Sequence, residues 1–364
     1  MQADADDVAL DQLMTAPRLR AVVFGLALAA TLLLSPAIAI RGGAASASCG
    51  IDGVERIVAI GDVHGAYDRF VEILKTAGLV DDRERWSGGK AHLVQLGDVV
   101  DRGPDSRKAL DFLMRLEGEA EKAGGAVHAL LGNHEVARML GDLRLVHPGE
   151  YKAFVSDNSE EMRKRLLDLV KPPNPEEFLK TTPLGQTEMI IAFGAKGDYG
   201  KWLRTHDSVA KINGILFLHG GISPAVAPTS CDDINATVQR ELTTDFDQTQ
   251  KAPLSALAAR VDGPLFYRGL ADEPDEFGPQ VDEILAKQGV KAIVIGHTVS
   301  PTGRIRPRFG GKVFQIDTAM QPAYVPNGRA SALEIKGNDV TAIYVDRKDT
   351  LTFPPVPAAS SAPR

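Results

Sequence analysis

Asp62 and His64 stand two residues apart at the end of the apolar run Ile57-Val58-Ala59-Ile60. In extended backbone that spacing turns both side chains to one side. A carboxylate and an imidazole so placed suit a divalent transition metal, and the glycines Gly61 and Gly65 let the backbone turn close to a ligand. Alone, the segment reads equally well as a strand closing in an Asx turn beside a structural histidine. The pattern recurs, however. Leu93-Val94-Gln95-Leu96 runs into Gly97-Asp98-Val99-Val100-Asp101-Arg102-Gly103, and the run 127–131 runs into Gly132-Asn133-His134-Glu135. Likewise 215–218 ends in His219-Gly220-Gly221, and 292–295 ends in Gly296-His297-Thr298. Asp62, His64, Asp98, Asn133, His219 and His297 together make the mixture of hard oxygen and imidazole donors that two divalent ions sharing one carboxylate require.

The elements that must position these residues follow from periodicity. The apolar runs read as buried strands. Between the first two, 67–77 reads as a helix with Phe70, Ile73, Leu74 and Ala77 on one face, and 106–116 reads as a second helix. Strand–helix–strand alternation predicts a layered α/β fold, with central β-sheets flanked by helices and ligands at the carboxyl ends of strands. From 138 to 207 the character changes. The stretch 160–170 is charged and helical, Pro172, Pro173 and Pro175 interrupt it, and 176–180 resumes it, which reads as a mostly helical insertion or cap. Later strands are expected at 313–317 and 332–335. The tail 351–364, rich in Pro, Ala and Ser, reads as disordered.

The 364 residues are 44% hydrophobic, enough for one large domain over 49–350. A formal net charge of -7 argues against a nucleic-acid partner. Arg18 and Arg20 precede a short apolar run and small residues, which describes an export signal within 1–48. The expected location is the periplasm, with membrane contact only in transit, or an uncleaved membrane anchor. In an oxidising compartment Cys49 and Cys231 can pair.

The segments GDVHG, GDVVDRG, GNHE, HGG and GHT resemble, in that order, the calcineurin-like metallophosphoesterase superfamily over residues 55–320. GDVVDRG and GNHE are similar to its phosphoprotein-phosphatase branch, and 132–144 is similar to the Shewanella-like bacterial phosphatases. The SAPNYC segment of eukaryotic serine/threonine phosphatases is absent, and Ile316-Asp317-Thr318-Ala319-Met320 occupies the comparable region. The resemblance implies two divalent metal ions (Mn, Fe or Zn), with Asp62 and His64 on the first, Asp98 bridging, and Asn133, His219 and His297 on the second. It also implies that Arg102 and Arg268 grip phosphate oxygens and that His134, oriented by Asp101, is the general acid. The chemistry agrees: two metals and two guanidiniums neutralise a phosphomonoester dianion, and an imidazolium held by a carboxylate can protonate the leaving alkoxide. His92, His128, His147 and His206 match no motif and read as structural, while Arg138, Asp142 and Arg144 are open between cleft lining and packing. The expected activity is phosphomonoester hydrolysis on phosphoproteins or phosphopeptides. A diadenosine-polyphosphate hydrolase and a catalytically silent binding module are the alternatives, disfavoured by GNHE and by the complete donor set.

Overall fold

The computed structural model describes residues 49–322, 325 and 327–354, so the leader and the tail from 355 onward lie outside the described residues. Two six-stranded sheets carry the chain. The first has the order β12-β11-β10-β2-β3-β4, comprising β2 (Ile57–Ile60), β3 (His92–Gln95), β4 (Ala126–Ala129), β10 (Ser331–Lys336), β11 (Asp339–Tyr344) and β12 (Lys348–Leu351). The second has the order β1-β5-β6-β7-β9-β8, comprising β1 (Gly50–Ile51), β5 (Val209–Ile212), β6 (Ile215–Leu218), β7 (Ala292–Ile295), β8 (Arg306–Arg308) and β9 (Val313–Gln315). The trios β2-β3-β4 and β6-β7-β9 are parallel, so each presents its carboxyl ends on one side.

The two-residue alternation of strands builds the layers. Ile57 and Ala59 of β2 join Ile215 and Phe217 of β6 and Ala292 and Val294 of β7 in one apolar cluster between the sheets. The intervening Val58, Ile60, Leu216, Leu218, Ile293 and Ile295 face the other way and pack against helices. Strands apolar on both faces belong in a middle layer, and here both parallel trios are covered twice. Helix α1 (Tyr67–Thr76) turns Phe70, Ile73 and Leu74 inward, as its spacing predicts. Helix α2 (Ser106–Lys122) outruns its expected end at 116 because Ala120 extends the buried face.

Between β4 and β5 the chain is helical: α3 (Asn133–Met139), α4 (Pro148–Lys152), α5 (Ser159–Val170), α6 (Pro175–Thr181), α7 (Gln186–Phe193) and α8 (Asp198–Leu203). The start of the tail departs from expectation. Leu351 pairs with Val340 in β12, and the Phe353 ring packs edge-on against Phe314 at 5.6 Å, so order extends to 354. An aromatic residue with a buried partner outweighs the Pro/Ala/Ser composition around it. Cys49 and Cys231 form a disulfide with Cα atoms 6.1 Å apart, tying the chain before β1 to the start of helix α9 (Cys231–Leu242).

Candidate metal centre

The carboxyl ends of β2, β3, β4, β6 and β7 converge where the two sheets meet. Gly296 N donates to His219 O at 2.8 Å, and Val63 N and His64 N both donate to Asp98 O. Asp62, His64, Asp98, Asn133, His219 and His297 are all buried there. Two sets of possible ligands, His64–Asp98–His134 and Asp98–His219–His297, each have donor atoms within 4.8 Å of one another, and Asp98 belongs to both. Asn133 Oδ1 lies 2.8 Å from His219 Nε2, and Asp62 Oδ2 lies 3.8 Å from His64 Nε2. The sequence-predicted donors therefore come together around Asp98.

For two of the histidines the backbone fixes which imidazole nitrogen is offered. His64 Nδ1 donates to the Val100 carbonyl at 3.0 Å and His219 Nδ1 to the Leu96 carbonyl at 2.8 Å, which aims Nε2 of each at the carboxylates. Close approach of carboxylate to main chain also requires glycine at two positions. A Cβ on Gly132 would sit 2.2 Å from Asp98 Oδ1, and one on Gly296 would sit 2.5 Å from Asp62 Oδ1. His64, Asp98, Asp101, Arg102 and His297 adopt left-handed backbone, with φ between 47° and 71°. Such conformations cost about 1–3 kcal/mol each and mark functional sites.

So many buried ionisable groups perturb one another. Burial, with the positive charges of Arg102 and His134, lowers His64 to about 3, leaving it neutral. Burial would also lower His219, but Asp98 and Asp62 push it up to about 10. Burial and then Asp317 raise Asp62, while Asp98 is lowered against its burial by His219 and His134. Three closely packed carboxylates are costly to bury without cations beside them. Asn133 Nδ2 is buried with no hydrogen-bond partner, so only the oxygen of that amide is engaged. The donor set, a hard-oxygen and imidazole mixture with one shared carboxylate, fits two divalent ions.

His134 is held differently from the other two histidines. Its Nδ1 donates to the Asp101 carboxylate at 2.7 Å, and Arg102 Nη2 lies 3.5 Å from its Nε2. Burial alone would lower His134, but Asp98 and Asp101 together raise it. Arg268 Nη1 donates to Thr298 Oγ1 at 3.2 Å, placing this guanidinium beside His297. The remaining histidines are elsewhere. His92 bonds His128, His147 accepts from Gly149 N at the start of α4, and His206 bonds Glu117. Arg144 pairs with Asp142, and Arg138 is buried behind Asp101.

Three residues that no assignment of roles from the sequence had singled out complete the site. Glu135, quoted only as the last letter of GNHE, accepts hydrogen bonds from the backbone N–H of Asp98, Val99, Val100 and Gly132 at 2.8–3.2 Å. Asp317 is buried against Asp62, and burial raises it to about 6. Glu150 reaches Arg138 from α4. For Glu135 the signal was its adjacency to Asn133 and His134; for Glu150 the sequence held none.

A family model described as calcineurin-like phosphoesterase matches residues 55–301. The chain belongs to the calcineurin-like phosphoesterase family. It is thus a hydrolase of phosphate esters, and divalent metals serve this family. This phosphoesterase is 36% identical to an uncharacterised protein of Schizosaccharomyces pombe over 79% of each chain. It is 31% identical to Shewanella-like protein phosphatase 2 of Arabidopsis thaliana, over 78% of this chain and 75% of that one. The crystal structure of a cold-active protein-tyrosine phosphatase from a psychrophilic Shewanella matches with a TM-score of 0.66 and 28% identity, covering 84% of this chain and 83% of that one.

Replacing Glu135 by Ala strips four buried N–H groups of their acceptor. Each buried group left unsatisfied costs about 1–3 kcal/mol, so Glu135→Ala is expected to lose at least about 4 kcal/mol in urea unfolding, together with bound metal measured by elemental analysis. Unchanged stability with full metal content would refute the role given to this carboxylate.

Proposed function

We propose that this phosphoesterase is an exported protein phosphatase that hydrolyses phosphomonoesters on proteins or peptides. One observation carries the chemistry: the Asp101–His134 pair lies directly against an Asp98-centred donor cluster, with Arg102 alongside. The protein substrate is supported by likeness to the Shewanella phosphatase over 84% of this chain, a span that exceeds the residues of the family model.

Asp62, His64, Asp98, Asn133, His219 and His297 would hold two divalent ions, which we assign to manganese, iron or zinc because imidazole suits iron and zinc while carboxylate and amide oxygens suit manganese. When bound, such ions neutralise phosphate charge and make water nucleophilic at neutral pH. Arg102 and Arg268 orient the phosphoryl oxygens from two sides. As the bond from phosphorus to the leaving oxygen breaks, His134 gives its Nε2 proton to that oxygen, while Asp101 keeps Nδ1 fixed.

Chelation should abolish activity and manganese should restore it, and Asp98→Asn should lower metal content and rate together. Full activity of a preparation shown to be metal-free excludes this reading. His134→Asn should slow hydrolysis of poor leaving groups, such as phosphoserine peptides, far more than that of p-nitrophenyl phosphate. General acids contribute about 10²–10⁴-fold, so the ratio of the two rates decides the matter. If both substrates slow equally with metals retained, His134 is not the acid.

Export is part of the same proposal. It rests on Arg18, Arg20 and the apolar run that follows, and the Cys49–Cys231 disulfide supports it, since such bonds persist in oxidising compartments. Mass spectrometry of the native protein should find the N-terminus cleaved before about residue 50, with the two cysteines recovered as one linked peptide under non-reducing conditions. An intact N-terminus on a cytoplasmic protein contradicts it.

A further inference from the structure

Asp101 is held from behind by Arg138 of α3 and Ser106 of α2, and both are held in turn by Glu150 from the helical segment after α3. Asp101 Oδ2 receives His134 Nδ1, and its Oδ1 receives Arg138 Nη2. Arg138 lies on α3, one turn after His134, and its side chain is 1% exposed. Its Nη1 and Nη2 each donate to Glu150 Oε2 at 3.2 Å. Glu150 is also buried, on α4. Glu150 Oε1 accepts from Ser106 Oγ at 2.7 Å, and Ser106 Oγ accepts the backbone N–H of Asp101 at 3.1 Å. Glu150 thus reaches Asp101 twice, through Arg138 to its carboxylate and through Ser106 to its main chain. Arg102 N donates to Leu145 O at 2.9 Å, fastening the same segment to the neighbouring residue of the loop. Helix α7 seals the arrangement: Met189 Sδ lies 3.2 Å from Arg138 Nη1, and the Phe193 ring stacks 4.9 Å from the guanidinium carbon.

We propose that Arg138 and Glu150 are positioning residues for the proton donor, so that acid catalysis at this site requires the 142–152 segment to be docked. The inference rests on the reading of His134 as general acid. A planar guanidinium fixes the plane of a carboxylate in a way a point charge does not. Asp101 lies in left-handed backbone at φ 71°, so its side-chain direction depends on these outside contacts. Without Glu150, Arg138 loses the anchor that orients its fork. Without Arg138, two buried carboxylates face each other. Neither residue touches the phosphate grip or the donor cluster, so their loss acts on leaving-group protonation through Asp101 and His134.

The test is a series of phosphate monoesters from p-nitrophenyl through phenyl to alkyl, run on full-length enzyme reconstituted with manganese. For Glu150→Gln, kcat on phenyl phosphate should fall about 10-fold further than on p-nitrophenyl phosphate, with KM and metal content near parental, since a general acid is worth about 10²–10⁴-fold in all. Arg138→Lys should show a smaller effect of the same kind. Removing one partner of a buried pair strands a charge and destabilises the fold. The double variant Arg138→Met with Glu150→Gln removes both charges and should fold while keeping the steep leaving-group dependence. Combined with His134→Asn, Glu150→Gln should add nothing. If His134→Asn is steep while Glu150→Gln and the double variant keep the parental dependence, or slow all esters equally, the inference falls alone. If His134→Asn itself keeps the parental dependence, the reading of His134 as acid falls, and this inference with it.

Discussion

A single carboxylate, Glu135, holds the two loops that make the centre possible. The loop after β3 brings three successive N–H groups, those of Asp98, Val99 and Val100, onto its oxygens, and the loop after β4 brings Gly132 N. Charge-assisted hydrogen bonds of this kind are stronger than neutral ones. They compensate the left-handed backbone at Asp98, which would otherwise relax. With that loop pinned, Asp98 Oδ1 accepts His134 N at 3.0 Å while Oδ2 faces His64, His134 and His219. One oxygen fixes structure and the other is left for chemistry.

The packing of the sheets imposes the second constraint. Parallel trios from two different sheets must end at the same place for β2, β3 and β4 to meet β6 and β7. The apolar cluster between them, from Ile57 to Phe217 and Val294, sets that alignment, and bonds such as His219 Nδ1 to Leu96 O and His297 N to Asp62 Oδ1 fasten the strand ends across it. At the ends of the strands the apolar layer gives way to buried carboxylates and imidazoles, a concentration of charge that the fold carries because it is a site for cations.

Behind the centre, polar contacts run outward from His134 through Asp101 and Arg138 to Glu150. Glu150 at the far end of that chain lies on α4, a helix that contributes no metal donor. Five strand ends carry the cluster of carboxylate, amide and imidazole donors, and the segment between β4 and β5 carries the Arg138–Glu150 pair behind Asp101.

The sequence by itself determined the donors and the strands that end in them. Each motif is local: an apolar run of four, a glycine, then a ligand type, and such short-range patterns survive without knowledge of the fold. It also determined the inward face of α1, through spacing alone. Tertiary structure decided the rest. That the five strand ends belong to two sheets was not legible, because pairing between β2 and β10 joins residues far apart in the chain. Nor was the work of Glu135, whose acceptors' partners lie 35 to 37 residues away, apart from Gly132. Arg138 stayed open between cleft and core in sequence because a lone arginine on a helix fits both. Its burial between Asp101 and Glu150, the latter brought by the path of the chain through α4, exists only in the folded chain. A side chain's type is written locally, whereas what it faces is set by contacts that exist only once the chain has folded.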